Sequence, residues 1–162
     1  MQNSNPPNPN PSQNPSPDPV ESLITGPARV LLVDDEPGIR TAVQAYFEDE
    51  GFAVSTASDG EEGWQKAQAE MPDVVLSDVM MPRMDGFGLL KRLREDERLG
   101  GTPVIFLTAK GMTSDRIAGF RAGVDDYIPK PFDPDELVAR VRNVVQRQER
   151  LLREAARYAD TD

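Results

Sequence analysis

Short runs of consecutive apolar residues recur along this chain, each followed by a longer amphipathic stretch. The runs are 30–33 (VLLV), 74–76 (VVL), 104–107 (VIFL) and 127–128 (YI). A weaker, alternating run at 52–57 (FAVSTA) suits an edge strand. The runs at 30–33, 74–76 and 104–107 are continuously apolar, as strands are when a parallel sheet buries both of their faces. Helical patterns fill the intervals. Residues 37–50 place Ile39, Val43, Tyr46 and Phe47 on one face, with Pro37 in the first turn and Gly51 as a stop. Residues 61–70 form a second pattern, broken by Pro72, and 87–98 a third, with Leu89, Leu90 and Leu93 inward. A short fourth covers 114–122 and ends at Gly123. A fifth begins at Pro134, with Leu137, Val141, Val144 and Val145 at helical spacing. A strand and a helix repeated five times, with right-handed crossovers, predict an α/β, doubly wound, five-stranded parallel sheet. Ligands of such sheets bind beyond the carboxyl ends of the strands.

Residues 1–27 do not share this pattern. They hold eight of the 15 prolines, five Asn and no Lys or Arg. This stretch cannot bury enough apolar surface to offset chain entropy, so it is expected to be a disordered tail. The expected division is 1–27 tail, 28–146 folded domain, and 147–162 helical extension or linker to an output domain beyond. The formal net charge of −10 argues against nucleic-acid contact by these residues. With no Cys and no His, disulfides, Cys-based zinc sites, Ser-His triads and imidazole ligands are excluded. Chemistry is left to carboxylates, hydroxyls, lysines and backbone. No apolar run approaches the roughly 20 residues of a membrane span, and no secretory signal is visible. A cytoplasmic protein without membrane attachment is the expectation.

Four of the five strands deliver polar groups at their carboxyl ends: Asp34, Asp35 and Glu36 after the first, Ser77 and Asp78 after the third, Thr108 after the fourth, Lys130 after the fifth. Each alone is an ordinary strand terminator; together they describe a site. Asp34, Asp35 and Asp78 converging would repel one another unless a cation neutralised them. A few hard oxygen ligands suit Mg²⁺, which retains water and pairs with phosphate oxygens. Carboxylate nucleophile, divalent metal, ammonium and hydroxyl together describe phosphoryl transfer to Asp.

The ordered set VLLVDDEP, DVVLSDVMMPRMDG, VIFLTAK and DDYIPKPF resembles the receiver domain of bacterial two-component response regulators, over about residues 28–148. The resemblance implies a flavodoxin-like (βα)5 fold with strand order 2-1-3-4-5. It implies that Asp78 accepts a phosphoryl group from the phosphohistidine of a sensor histidine kinase or phosphotransfer protein. It further implies that Asp35, Asp78 and the Met80 carbonyl ligate Mg²⁺, that Asp34 helps through water, and that Lys130 pairs with the phosphoryl group. A cis peptide between Lys130 and Pro131 is implied as well. In the family a switch follows: the Thr108 hydroxyl moves to the phosphoryl oxygen and Tyr127 turns inward. Such a chain is a signalling phosphoacceptor, not an enzyme acting on other substrates.

The output is expected to be a face made by the fourth helix, fifth strand and fifth helix. Arg116 with Glu136, Asp126 with Arg140 and Asp125 with Arg142 are complementary sets there. Such pairs can cross a two-fold axis. They resemble the dimer face of receivers in the winged-helix transcription-factor subfamily, which implies a homodimer on phosphorylation. Solvated charges or bridges within one chain are the duller reading. Residues 146–158 (QRQERLLREAARY) continue the last helix, either as a stalk toward an output module or as a frayed tail. DNA contact would then belong to a missing C-terminal domain. The alternatives are a stand-alone receiver acting by protein contact, or an aspartate-nucleophile phosphatase. The second lacks the acid expected two residues past its nucleophile, where Met80 stands.

Overall fold

A strand apolar on both faces must be covered on both sides, and the chain does this by placing helices above and below one sheet. The computed structural model describes residues 26–109 and 123–159. In order, the elements are β1 (Arg29–Val33), α1 (Pro37–Asp49), β2 (Ala53–Ala57), α2 (Gly60–Glu70), β3 (Val74–Asp78), α3 (Gly86–Glu95), β4 (Val104–Thr108), β5 (Asp126–Pro129) and α4 (Pro134–Ala159). The five strands are parallel in the order β2-β1-β3-β4-β5. This is the doubly wound sheet that the apolar runs predict. The short helix expected at 114–122, and Arg116 with it, lie outside the described residues.

Strand alternation sorts the core into two layers. Val30, Leu32, Val74, Leu76, Ile105 and Leu107 face α1 and α4, meeting Val43 and Phe47 on one and Leu137, Val141, Val144 and Val145 on the other. Leu31, Val33, Val75, Val104 and Phe106 face the opposite way, onto Ala67 of α2 and Leu89, Leu90 and Leu93 of α3. β3 and β4 are buried along their whole length, whereas β2 and β5, at the edges, are only partly covered.

Two helix ends depart from the periodicity. The expected helix at 87–98 stops at Glu95, because the Asp96 carboxylate accepts from the N–H groups of Arg98 (2.8 Å) and Leu99 (3.0 Å) and draws the chain into a turn. At the other end of the chain, α4 runs unbroken past residue 146, through the boundary expected between domain and extension. Its buried face ends at Val145. Beyond that, Gln148 donates to the Gly101 carbonyl at 3.0 Å, and Leu151, Leu152 and Tyr158 are exposed, Tyr158 by 82%. Among the described residues no helix is long and apolar enough to cross a membrane.

Candidate functional site

The strand order makes β1 and β3 neighbours, and their register, with Val33 opposite Ser77, sets Asp34 beside Asp78. Asp34 continues the ladder one step past β1, its N–H donating to the Ala57 carbonyl at 3.0 Å. Its carboxylate accepts from the Glu36 N–H at 2.9 Å, a short turn that leads into Pro37 and α1. Asp34 is fully buried and Asp78 nearly so, while Asp35 is open to solvent. One carboxylate oxygen from each of the three lies within 4.8 Å of the others. At an effective dielectric constant of about 20, two unit charges at that distance repel by roughly 3 kcal/mol.

Lys130 enters from the end of β5, on the far side of β4. Its N–H donates to the Thr108 carbonyl at 2.7 Å, and the Lys130–Pro131 peptide is cis, as the resemblance implies. The ammonium lies 2.9 Å from Asp34 Oδ2, 3.5 Å from Asp78 Oδ2 and 3.8 Å from Glu36 Oε1. One ammonium therefore faces three acids. Burial works against the Lys130 charge, but the Asp34 hydrogen bond, with the charges of Asp34, Asp78 and Glu36, outweighs it and raises the pKa above the usual lysine value. Asp78 is pushed up to about 6, first by burial and further by Asp34 and Asp35; Lys130 and the Val79 N–H only partly offset this.

The donor set fits a hard divalent cation. It consists of carboxylate oxygens only, gathered around an excess of negative charge, with the exposed Asp35 leaving room for retained water. Met80 stands two residues past Asp78, in the loop at the mouth of the site, its side chain half exposed. That loop turns back tightly: Gly86 donates its N–H to the Val79 carbonyl at 2.8 Å, and a Cβ at residue 86 would stand 2.5 Å from the Asp78 carbonyl oxygen. Asp85 then caps α3 by accepting from the Gly88 N–H at 2.9 Å. Thr108 is buried at the end of β4, its hydroxyl 3.5 Å from the Ile128 carbonyl, at the long limit of a hydrogen bond. Tyr127, on β5, is 43% exposed.

The charges of the expected dimer face are distributed differently. Arg140 lies 3.1 Å from Asp126 and 3.0 Å from Glu136, all within one chain. Asp125 and Arg142 are not brought together. Asp125 pairs with Arg94 at 3.2 Å, and Arg142 reaches across to α1, 2.9 Å from Glu50 and 5.7 Å over the Phe52 ring. Sequence reasoning missed Glu36 as a partner of Lys130, although it adjoins the Asp pair. It also missed Asp59, Gly60 and Arg83, which line the loop that carries Met80. Asp59, ahead of a helical pattern, was legible as a cap; its reach to Arg83 was not.

Comparison with known proteins gives the same architecture and family. The chain matches the response regulator receiver domain over residues 30–142. It is 53% identical to the response regulator Rre1 of Synechocystis over 124 residues, covering 76% of this chain and 54% of the relative. It is 42% identical to the DNA-binding dual master transcriptional regulator RpaA of Synechocystis over 132 residues, covering 82% of this chain and 54% of that protein. Among solved structures, the Vibrio cholerae chemotaxis protein CheY4 superposes with a TM-score of 0.69 at 36% identity, covering 74% of this chain and 99% of that one. The chain thus spans about half the length of the curated relatives it matches. The chain belongs to the response regulator receiver domain family.

Proposed function

We propose that the chain is the phosphoacceptor of a two-component relay, taking a phosphoryl group onto Asp78 from the phosphohistidine of a sensor histidine kinase or phosphotransfer protein. The observation that carries this is the placement of Asp78: at the end of a central strand, buried, within the acidic triad and 3.5 Å from Lys130. A pKa of about 6 leaves its carboxylate ionised at neutral pH and able to attack. As the Asp78 oxygen–phosphorus bond forms, the phosphorus–nitrogen bond breaks and its electron pair returns to the partner's imidazole. Asp35, Asp78 and the Met80 carbonyl would hold Mg²⁺, with Asp34 helping through water, and the ion when bound would supply positive charge against the phosphoryl oxygens. Lys130, already at the mouth of the site, pairs with the new phosphoryl group.

The donor needs a surface. Between α1 and the start of α4 lies an open apolar groove of about 350 Å³, lined by Ile39, Ala42, Tyr46, Phe132, Pro134 and Leu137. Its lining includes Gly38 and Phe132, each two residues along the chain from Glu36 and Lys130, and it suits an apolar helix face of the partner. Phosphorylation is read out through Thr108 and Tyr127. The long Thr108 contact costs little to break, so its hydroxyl is available to a phosphoryl oxygen. Tyr127 then swings into the space that Thr108 leaves. The altered β5–α4 face, with Asp125, Asp126, Glu136, Arg140 and Arg142, supports a homodimer, and α4 leads onward to an output segment. The names of the relatives support transcriptional control as that output.

The test is labelling with a small phosphodonor such as acetyl phosphate. The native chain incorporates phosphate only with Mg²⁺ present. Asp78→Asn incorporates none while keeping its circular dichroism spectrum. Undiminished labelling of Asp78→Asn overturns the proposal.

A further inference from the structure

The loop that carries the Met80 carbonyl contains a strained turn. Met84 donates its N–H to the Pro82 carbonyl at 2.8 Å, closing a three-residue turn around Arg83, whose φ is +67°. A turn of this kind at a non-glycine residue is rare, and it persists only where its surroundings over-determine it. Here the surroundings are the start of α2. Gly60, the first residue of that helix, donates its N–H to the Met84 carbonyl at 2.9 Å. This is one of the N–H groups that a helix cannot satisfy by itself. The approach requires glycine: a Cβ at residue 60 would meet the Met84 carbonyl oxygen at 2.3 Å and the Met84 carbonyl carbon and Cβ at 2.8 Å. The preceding residue, Asp59, is buried and does two things. One oxygen caps α2 at the Glu62 N–H, at 2.9 Å, and the other lies 3.2 Å from Arg83 Nε. Two adjacent residues therefore grip the strained turn from one side. From the other side Gly86 fixes the end of the same loop against Asp78.

We propose that Asp59 and Gly60 are positioning residues for metal binding: by clamping the turn at Arg83 they hold the Met80 carbonyl where the acidic triad can use it. The inference rests on the reading of Asp35, Asp78 and Met80 as Mg²⁺ ligands. Neither Asp59 nor Gly60 belongs to the triad or touches the reacting atoms. The Arg83 side chain is mostly exposed, so its ion pair with Asp59 is the weaker part of the clamp. The Gly60 hydrogen bond and the missing Cβ are the stronger part. Supporting groups around a metal site alter its affinity by about 10- to 100-fold when removed.

Calorimetric titration of the chain with MgCl₂, beside a thermal melt and labelling by acetyl phosphate at graded Mg²⁺, tests this. Gly60→Ala raises the Mg²⁺ Kd about tenfold, still melts cooperatively, and regains a near-native labelling rate once Mg²⁺ is saturating. Asp59→Ala, which crowds nothing, gives a smaller rise, about threefold, and Asp59→Asn, which keeps a capping oxygen, restores binding to within about twofold of native. A purely structural role lowers the melting temperature and leaves the Mg²⁺ Kd unchanged. If the native chain binds Mg²⁺ and Gly60→Ala and Asp59→Ala bind it equally well, the inference is overturned. Should Gly60→Ala fail to fold, the two Asp59 variants decide alone. Failure of the native chain to bind Mg²⁺ removes the ligand assignment itself, and the inference with it.

Discussion

Asp78 is under two opposed demands. As a nucleophile it must be ionised, yet burial and the neighbouring Asp34 and Asp35 favour its neutral form and push its pKa to about 6. A carboxyl group raised in the folded chain adds stability that is complete below its unfolded pKa and is lost as pH climbs through its folded one. Here that window runs from about pH 4 to about pH 6 and is worth up to ~3 kcal/mol, at about 1.4 kcal/mol per pH unit. Urea denaturation without divalent metal is therefore expected to find Asp78→Asn more stable than the native chain at pH 7, with the gap closing toward pH 4. A gap independent of pH contradicts the shift. Adding Mg²⁺ at pH 7 then stabilises the native chain more than the variant, since a ligand bound only by the folded state raises its stability. Glu62, held low chiefly by hydrogen bonds from Ser58, contributes with the opposite sign, and the comparison of the two chains cancels it.

Among the elements, the strands were the most legible part of the sequence. VLLV, VVL and VIFL are too apolar for anything but buried strands, and each ends on a polar residue because the sheet ends there. Those ends carry the candidate site, so the strand-end placement of Asp34, Asp78, Thr108 and Lys130 could be read from the chain before any fold was known. The connections were less legible, since their stability comes from partners distant in sequence. Asp96 ended α3 through its own side chain, a local signal that competed with helical periodicity. Asp59 with Arg83 and Gly60 with Met84 leave no local pattern at all. Arg94 shows the same. Its guanidinium donates to the carbonyls of Gly100, Thr102 and Gly123 and to the Asp125 carboxylate, tying α3 to the starts of β4 and β5. Asp125 in turn accepts from the Val104 N–H at 2.8 Å. Arg94→Ala leaves several acceptors without a donor and is expected to lower the unfolding free energy by about 2 kcal/mol. Arg94→Lys recovers only part of this, since a single ammonium cannot replace the fork. An unchanged midpoint in urea for Arg94→Ala contradicts the role.

For the whole molecule, the net charge of −10 acquires a location: three of the acids form one cluster at the carboxyl edge of the sheet, matched by a single lysine. These 162 residues hold no His, so under the proposed function the phosphoryl donor is not a histidine of this segment. Assembly is a separate question from chemistry. Arg140 already satisfies Asp126 and Glu136 within one chain, so a dimer that uses these charges across its axis exchanges those pairs. Surface pairs of this kind contribute only about 0–1 kcal/mol each, so their exchange costs little. Sedimentation with beryllium fluoride and Mg²⁺ is expected to show a doubled mass, with the dimer weakened by Arg140→Ala; an unchanged mass on activation contradicts phosphorylation-driven dimerisation. The most direct test of the central claim is chemical trapping of the phosphoryl linkage. After incubation with acetyl phosphate and Mg²⁺, borohydride reduces an acyl phosphate to an alcohol, and peptide mass spectrometry locates the altered residue. The account predicts reduction at Asp78 alone; reduction at another carboxylate with Asp78 intact would contradict it.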